Sequence, residues 1–379
     1  MKTKKQTTIK FIVSAALIAM MCDTSMFAQA GKTESQGTTS TACGCPPVAS
    51  RPTASLVSKT VLVGYDYIFK PNTILGCDTI WILDKTIFVD NNNSITIKPG
   101  AVVKGIDQLS STYFSAIVVQ RGAKIFAAGT KECPIIFTST EDALDGTYSL
   151  CNRGKWGGIV ILGKAANSGH ITINGNINGL SSMEGFNEYF RFYYGAGDTD
   201  FPTSDDDDNS GILRYVSIRH AGEFYAGITD DALRALALGS VGRSTTIDHV
   251  EVISSNNDAF AIFGGTVNLK YCAAMFCNDD MFNWDLGYRG KMQFLFGVQA
   301  DQSNTQLADN GFEGDKGTNG NTFAFKSTPK IYNTTLIGNG TGPLLSDMSG
   351  KASIRLKYGT QGLIQNCIFS NWNAGVSFT

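Results

Sequence analysis

Apolar and polar residues alternate along this chain in short runs rather than in helical stripes. Thr79-Ile-Trp-Ile-Leu, Thr86-Ile-Phe-Val and Ser94-Ile-Thr-Ile-Lys are each about one strand long, with Gly, Asn, Asp and Ser punctuating the gaps. One stretch nearly repeats itself. Ile247-Asp-His-Val-Glu-Val-Ile precedes Asn257-Asp258-Ala259-Phe260, and 22 residues later Leu269-Lys-Tyr-Cys-Ala-Ala-Met precedes Asp279-Asp280-Met281-Phe282. A third copy of the second half, Asp309-Asn310-Gly311-Phe312-Glu313, comes 30 residues after Phe282. The corners Gly100-Ala101 and Gly122-Ala123 also stand 22 residues apart. A period in the low twenties holds about three short strands and their turns, so successive copies stack as coils of a solenoid. The pattern predicts an all-β chain, a right-handed parallel β-helix whose wall strands pair at both edges with their counterparts one coil away.

The later coils share a signature: an aliphatic residue, any residue, a Tyr, His or Asn, then a small or β-branched residue. It occurs as Leu213-Arg-Tyr-Val, Ile247-Asp-His-Val, Leu269-Lys-Tyr-Cys, Ile331-Tyr-Asn-Thr and Ile364-Gln-Asn-Cys. Period-two alternation places the first and third residues on one face; if that face is interior, Asn333 and Asn366 stack as an amide ladder. Two stretches interrupt the rhythm, an aromatic-then-acidic one at 185–210 and a polar, Gly/Asn-rich one at 301–326. Insertions between coils emerge as loops on one side of a solenoid, often its working side.

Composition adds the compartment. Lys2, Lys4, Lys5 and Lys10 precede the apolar run Phe11 to Met21, and Ala28-Gln29-Ala30 supplies a small-x-small cleavage site, so residues 1–30 read as an export signal. The run is too short to span a membrane, and no later segment is long enough. Cys22 invites acylation, but Met21 stands where lipoprotein signals place a small residue, which favours soluble-type cleavage. Residues 31–58, rich in Thr, Ser, Gly and Pro, read as a flexible leader tied down near Cys43 and Cys45, with regular structure from Thr60 and the β-helix over 59–379. Loss of the signal removes four lysines and one aspartate and moves the net charge from −2 to −5, a balance that suggests neither nucleic acid nor anionic membrane as partner. Cys43, Cys45, Cys77, Cys133, Cys151, Cys272, Cys277 and Cys367 remain. An even number in an exported chain points to disulfides between the N-terminal segment and bordering loops, with the pairing open.

Four blocks carry a resemblance: Trp156-Gly-Gly-Ile-Val-Ile-Leu-Gly-Lys-Ala165, Asp208-Asn-Ser-Gly-Ile-Leu-Arg-Tyr-Val, Phe263-Gly-Gly-Thr-Val and Asp285-Leu-Gly-Tyr-Arg-Gly290. From about Thr79 to Phe378 the chain resembles exported bacterial β-helix proteins common in Bacteroidetes envelopes and similar to a leptospiral outer-membrane lipoprotein group. The resemblance implies a pectin-lyase-like fold at the cell surface or outer membrane and implies no activity. Set against these relatives, the acylated cysteine is not expected here. The sequence stops at Val376-Ser-Phe-Thr379, inside or just after a coil, where some relatives carry a C-terminal secretion domain; either a very short cap suffices or the sequence is incomplete.

The acidic positions are the leading candidate chemistry. Asp258, Asp279, Asp280 and Asp309 are expected at one register of successive coils, about 4.8 Å apart, where carboxylates repel unless a cation lies between them. Ca²⁺ suits such oxygens, and Asp285, Asn283 and Asn278 can add to them; the competing reading makes these turn residues that cap the local backbone. Asp205 to Asp208, with Asp198 and Asp200 upstream, read as a solvated acidic loop. For glycan cleavage, Asp279, Asp280 and Asp285 offer paired carboxylates, and a calcium-dependent lyase would take Arg289 or Lys291 as base. Neither the polygalacturonase blocks nor the arginine-centred motif of pectate lyases occurs. His170 and His220 have no Cys or His partner at metal spacing, and His249, at the signature position, reads as a packed wall residue. Phe186, Tyr189, Phe190, Phe192, Tyr193 and Tyr194 form either an exposed patch for a partner or a sugar, or a loop folded back on the wall.

These readings combine into an exported β-helix that acts in binding, adhesion or assembly, with an outer-membrane or surface protein complex or a polysaccharide as partner and Ca²⁺ as the candidate ion. The alternative is a polysaccharide-active enzyme, a calcium-dependent lyase or a glycoside hydrolase.

Overall fold

In the computed structural model each regular coil contributes three short strands, two to one sheet and one to another. The structure describes residues 43–107, 114–172, 176–186, 189–223, 233–299, 309–315, 326–340 and 352–379. The stretch expected to be an export signal, Cys22, the expected leader up to residue 42 and most of the 301–326 insertion lie outside the described residues. Among those described, sheet A has 17 strands and sheet B has 11, and the pairings within both are parallel apart from one hairpin at the start of sheet B.

The stacking follows from side chains repeated at each rung. Leu75, Ile97, Ala127, Leu213, Ile247, Leu269, Met292 and Ile331 form one continuous inward row. A second row lines sheet B from Ile87 through Ile117, Ile159, Leu236, Phe260, Phe282 and Phe312 to Ile354. Every member of both rows is buried, each large one contributing roughly 1.5–3 kcal/mol. Phe260 and Phe282 stack at 5.0 Å between centroids.

The repeat is present where the near-copies placed it. Ile247 pairs with Leu269 and Phe260 with Phe282, and Phe282 pairs in turn with Phe312 after the longer interval. The Gly-Ala corners are different. Gly100-Ala101 precedes Val102–Gly105, which stacks on Ile135–Ser139; Gly122-Ala123 precedes Lys124–Ala128, which stacks on Ser94–Ile97. They are different corners of adjacent coils. Their equal spacing is accidental, because the coil between them is a longer one in which Thr86 pairs with Ala116.

The signature also differs from expectation at its third position. Tyr215, His249, Tyr271, Asn333 and Asn366 have φ between 47° and 54°, in the left-handed region, where the chain bends within the long strands Gly211–Arg219 and Thr246–Ile253 or, in later coils, between two short sheet A strands. That bend breaks the alternation, so the first residue stays inside while the third points outward. Phe294 (φ 58°) occupies the same corner. The rings of Tyr215, His249, Tyr271 and Phe294 form an exterior stack with centroids 4.4, 4.7 and 4.9 Å apart, and Asn366 Nδ2 donates to Asn333 Oδ1 beyond it.

Regular structure begins before Thr60. Thr53–Ser55 pairs with Ile80–Leu83, Leu56 is fully buried in the following 3-10 turn, and a hairpin of Thr60–Val63 with Asp66–Phe69 starts sheet B. Disulfides Cys43–Cys133 and Cys45–Cys77 fasten this end.

Candidate functional site

The outer face of sheet B has an apolar part and a charged part. On the apolar part Val118, Val160, Leu162, Ala237 and Phe263 point outward, and the excursion that carries residues 180–201 lies over them. Phe186 and Phe192 stack at 3.9 Å. Tyr194 packs on Gly239, where a Cβ would stand 2.6 Å from the ring. Tyr193 closes a small cluster with Ile171 and Leu180. Phe186, Phe192 and Tyr194 are therefore wall packing, since an apolar outer sheet face had to be covered; Tyr193 is buried within the excursion itself, and Tyr189 and Phe190 remain 36% and 58% exposed. The excursion is clamped at Arg191, which donates to Asp66 at 2.5 Å, Asp90 at 2.6 Å and Gln120 Oε1 at 2.9 Å, while Tyr189 donates to Asp66.

The 205–208 acids are solvated only in part: Asp207 is exposed, while Asp206 and Asp208 are bound into the molecule. Asp206 takes both terminal nitrogens of Arg289 at 3.0 and 3.1 Å and accepts from Ala166 N. Asp207 lies 3.3 Å from Arg243, and Asp208, 3% exposed, lies 3.8 Å from Lys164. Arg289 is thus committed to Asp206, and Lys291 stands exposed on the face of sheet A. Neither joins the carboxylates it would serve as base.

Those carboxylates gather where the chain enters successive sheet B strands. The registers put Asp258, Asp280 and Asn310 in one row and Asn257, Asp279 and Asp309 in the row beside it. Asp309 therefore stacks on Asp279 and not on Asp280, giving two adjacent registers where one was expected. The inner row is a backbone ladder: Asp258 Oδ1 accepts from Asp280 N at 3.3 Å, Asp280 Oδ1 from Asn310 N at 2.8 Å, and Asn310 Oδ1 from Ala352 N at 3.2 Å. Capping therefore explains one oxygen of each inner residue.

The carboxylates of both rows also converge. Asp258, Asp279 and Asp280 bring one oxygen each to within 4.8 Å of one another, and so do Asp280, Asp309 and Glu313. Two oxygens on one Ca²⁺ at 2.3–2.6 Å lie at most about 5 Å apart, so both triads fit that ion. Asn283 donates to Asp280 Oδ2 at 3.4 Å, whereas Asn278 Oδ1 is buried and accepts no hydrogen bond among the described residues. Burial, and then neighbouring carboxylates, push the carboxyls of Asp258 and Asp280 well above their ordinary range, and Asp279 moves the same way. Burial and mutual repulsion thus disfavour the charged carboxylates, and a cation among them would oppose both effects.

Bases flank the cluster at both ends. Arg234, one coil before Asp258 in the same register, places Nε 3.6 Å from its Oδ2 and also pairs with Glu184. Glu313 meets Arg355 at 3.2 Å and also Lys357. Asp285, at the end of Phe282–Asp285, stands outside both triads; burial and then Asp315 push its carboxyl up to about 8. Sequence reasoning passed over Glu313, Arg234, Arg355 and Lys357. Only the outward alternation after Phe312 and Ile354 signals the sheet B members among them. No histidine joins a metal-holding group among the described residues: His249 is sandwiched between Tyr215 and Tyr271, and His220 is buried beside Asn152 O at 2.5 Å.

No curated protein matches this chain. The family model of the pectate-lyase-like β-helix domain matches residues 67–379, the span over which the strands stack coil on coil, and the chain belongs to that family.

Proposed function

We propose that this chain is an exported protein of the cell surface or outer membrane, of the Bacteroidetes envelope kind, that binds polysaccharide on the charged part of sheet B with Ca²⁺ held by Asp258, Asp279, Asp280 and Asp309. The observation that carries the reading is the convergence of five carboxylates, Glu313 included, on two sites that share Asp280. An ion there offsets the mutual repulsion of acids whose charge burial disfavours, and it leaves coordination positions for sugar hydroxyls or carboxylates. Arg355 and Lys357 beside Glu313 supply donors to an acidic sugar. The 185–210 loop braces the wall in this reading, and attachment to an envelope complex falls to Tyr189 and Phe190.

Titration calorimetry with Ca²⁺ alone, followed by melting in Ca²⁺ and in EDTA, tests the ion. At 100 times its Kd the ion adds about 2.7 kcal/mol, so chelation lowers Tm and Asp279→Asn abolishes the difference. Identical melting in both buffers removes calcium from the reading. Calcium-dependent retention on immobilised polygalacturonate tests the binding, and absence of retention sinks it.

A hydrolase or lyase is the second reading, favoured by one observation: Asp285, with its carboxyl near 8, is a protonated acid at neutral pH on the same sheet B strand that Asp280 leads into. Turnover of a glycan that disappears in Asp285→Asn would displace the binding reading.

A further inference from the structure

Sheet A carries a different kind of surface on its outer face. Lys291 and Lys330 are directly opposite each other on adjacent parallel strands, one rung apart. Lys270 lies one coil earlier and two positions along, in the row that continues as Gln293, Tyr332 and Gln365. All three lysines are exposed. No carboxylate pairs with any of them among the described residues; Asp248, the register neighbour of Lys270, is held by Arg214 and His249. Like charges directly opposite on neighbouring strands are destabilising, and nothing in the packing of this wall requires them. The aromatic corner runs beside the same strands. Tyr271 and Phe294 are 43% and 38% exposed, with the Lys270 ammonium 5.0 and 5.8 Å from their centroids.

We propose that this lysine, amide and aromatic strip binds a linear anionic polysaccharide running along the solenoid axis, at a site separate from the acid cluster of sheet B. The charge calls for a polyanion, on a chain whose net charge is −2. The ring faces of Tyr271 are taken up by His249 and Phe294, so Tyr271 offers only its edge and gives no stacking platform for successive nucleic-acid bases. The amides of Gln293 and Gln365 and the hydroxyl of Tyr332 are partners for sugar hydroxyls. One rung per coil gives a charge spacing close to the advance per sugar of an extended glycan.

The test uses the whole mature protein in EDTA, so that calcium-dependent binding is silent, with dextran sulfate and polygalacturonate as polyanions and dextran as the neutral control. Affinity electrophoresis should show retardation by one or both polyanions that weakens with salt, and none by dextran. Lys291→Gln/Lys330→Gln should weaken binding at least tenfold without lowering Tm, since neither side chain makes an ion pair among the described residues and the like-charge pair is relieved; Asp279→Asn should leave binding intact. Equal retardation by dextran, binding unchanged in the double lysine variant, or loss only in Asp279→Asn would overturn the proposal. So would no retardation by either polyanion, or binding confined to a single-stranded oligonucleotide or to vesicles of anionic phospholipid. Because the double variant leaves the acid cluster untouched, failure here stands apart from failure of calcium-dependent binding on sheet B.

Discussion

The corner residue shows how one backbone angle decides what a side chain does. A φ near +50° costs an ordinary L-residue roughly 1–2 kcal/mol, and Asn tolerates it better than most. Tyr271 occupies it at 54°, stacked on His249 and Phe294, and each such pair is worth about 0.5–1.5 kcal/mol. Tyr271→Asn should therefore lose stacking but relieve the backbone, for a net cost of about 1 kcal/mol. Tyr271→Val loses the stacking and adds β-branched strain, for about 2–4 kcal/mol. Denaturant melts that rank Val as stable as Asn would remove strain from this account. Asp285 makes a residue-scale prediction in pH. Its carboxyl rises in the folded chain from an ordinary 3.8 to about 8, so below pH 4 it is neutral in both states. Between about pH 4 and 8 the unfolded chain releases the proton that the folded chain keeps, so stability falls across that window. Asp285→Asn should raise Tm by a few degrees at pH 9 and leave it nearly unchanged at pH 4. An equal effect at both would show that the carboxyl titrates normally.

At the scale of the element, the excursion over sheet B matters most through Arg191. It is 6% exposed and ties the excursion to Asp66 in the first hairpin and to Asp90 just after Thr86–Val89. Removing one partner of a buried pair costs about 3–5 kcal/mol because the other charge is stranded; Asp90 is 39% exposed and recovers water. Arg191→Ala should thus cost about 3 kcal/mol and raise proteolysis within 180–201 before the coils are cut, whereas cleavage confined elsewhere would mean the aromatic packing alone holds the excursion. The excursion also marks where sequence stops being legible. The coil was readable because parallel stacking demands the same residue type at each rung, as with Phe260, Phe282 and Phe312. Burial of Phe192 and Tyr194 was not, because it depends on the outer face of a sheet whose strands are drawn from far apart in the chain, from Phe88 to Phe263. The acid cluster was readable in part. Asp258 and Asp280 are spaced by the period, but Arg355 joins Glu313 from the next sheet B strand, across a gap in which insertions erase the rhythm.

For the molecule as a whole, the solenoid is locked at its first end and depends elsewhere on neighbour contacts. A coil touches only the coils above and below, so stability is close to a sum of local terms. The disulfides close 90 and 32 residues, which in the chain-entropy view is worth on the order of 4 kcal/mol each. Both act on the same end, since Cys43 and Cys45 lie just before Thr53–Ser55 and their partners lie in the first coils. The hairpin there needs such help: Val61, Leu62 and Val63 are 47–60% exposed and bury little. Cys43→Ser/Cys133→Ser, or reduction of the wild type, should therefore speed amide exchange over Thr53–Phe69 and the first coils. Protection at Phe260–Phe263 and Phe282–Asp285 should stay as it was. If those distant coils lose protection to the same degree, the stack unfolds as one cooperative unit, and a substitution at either end would then be felt at the acid cluster.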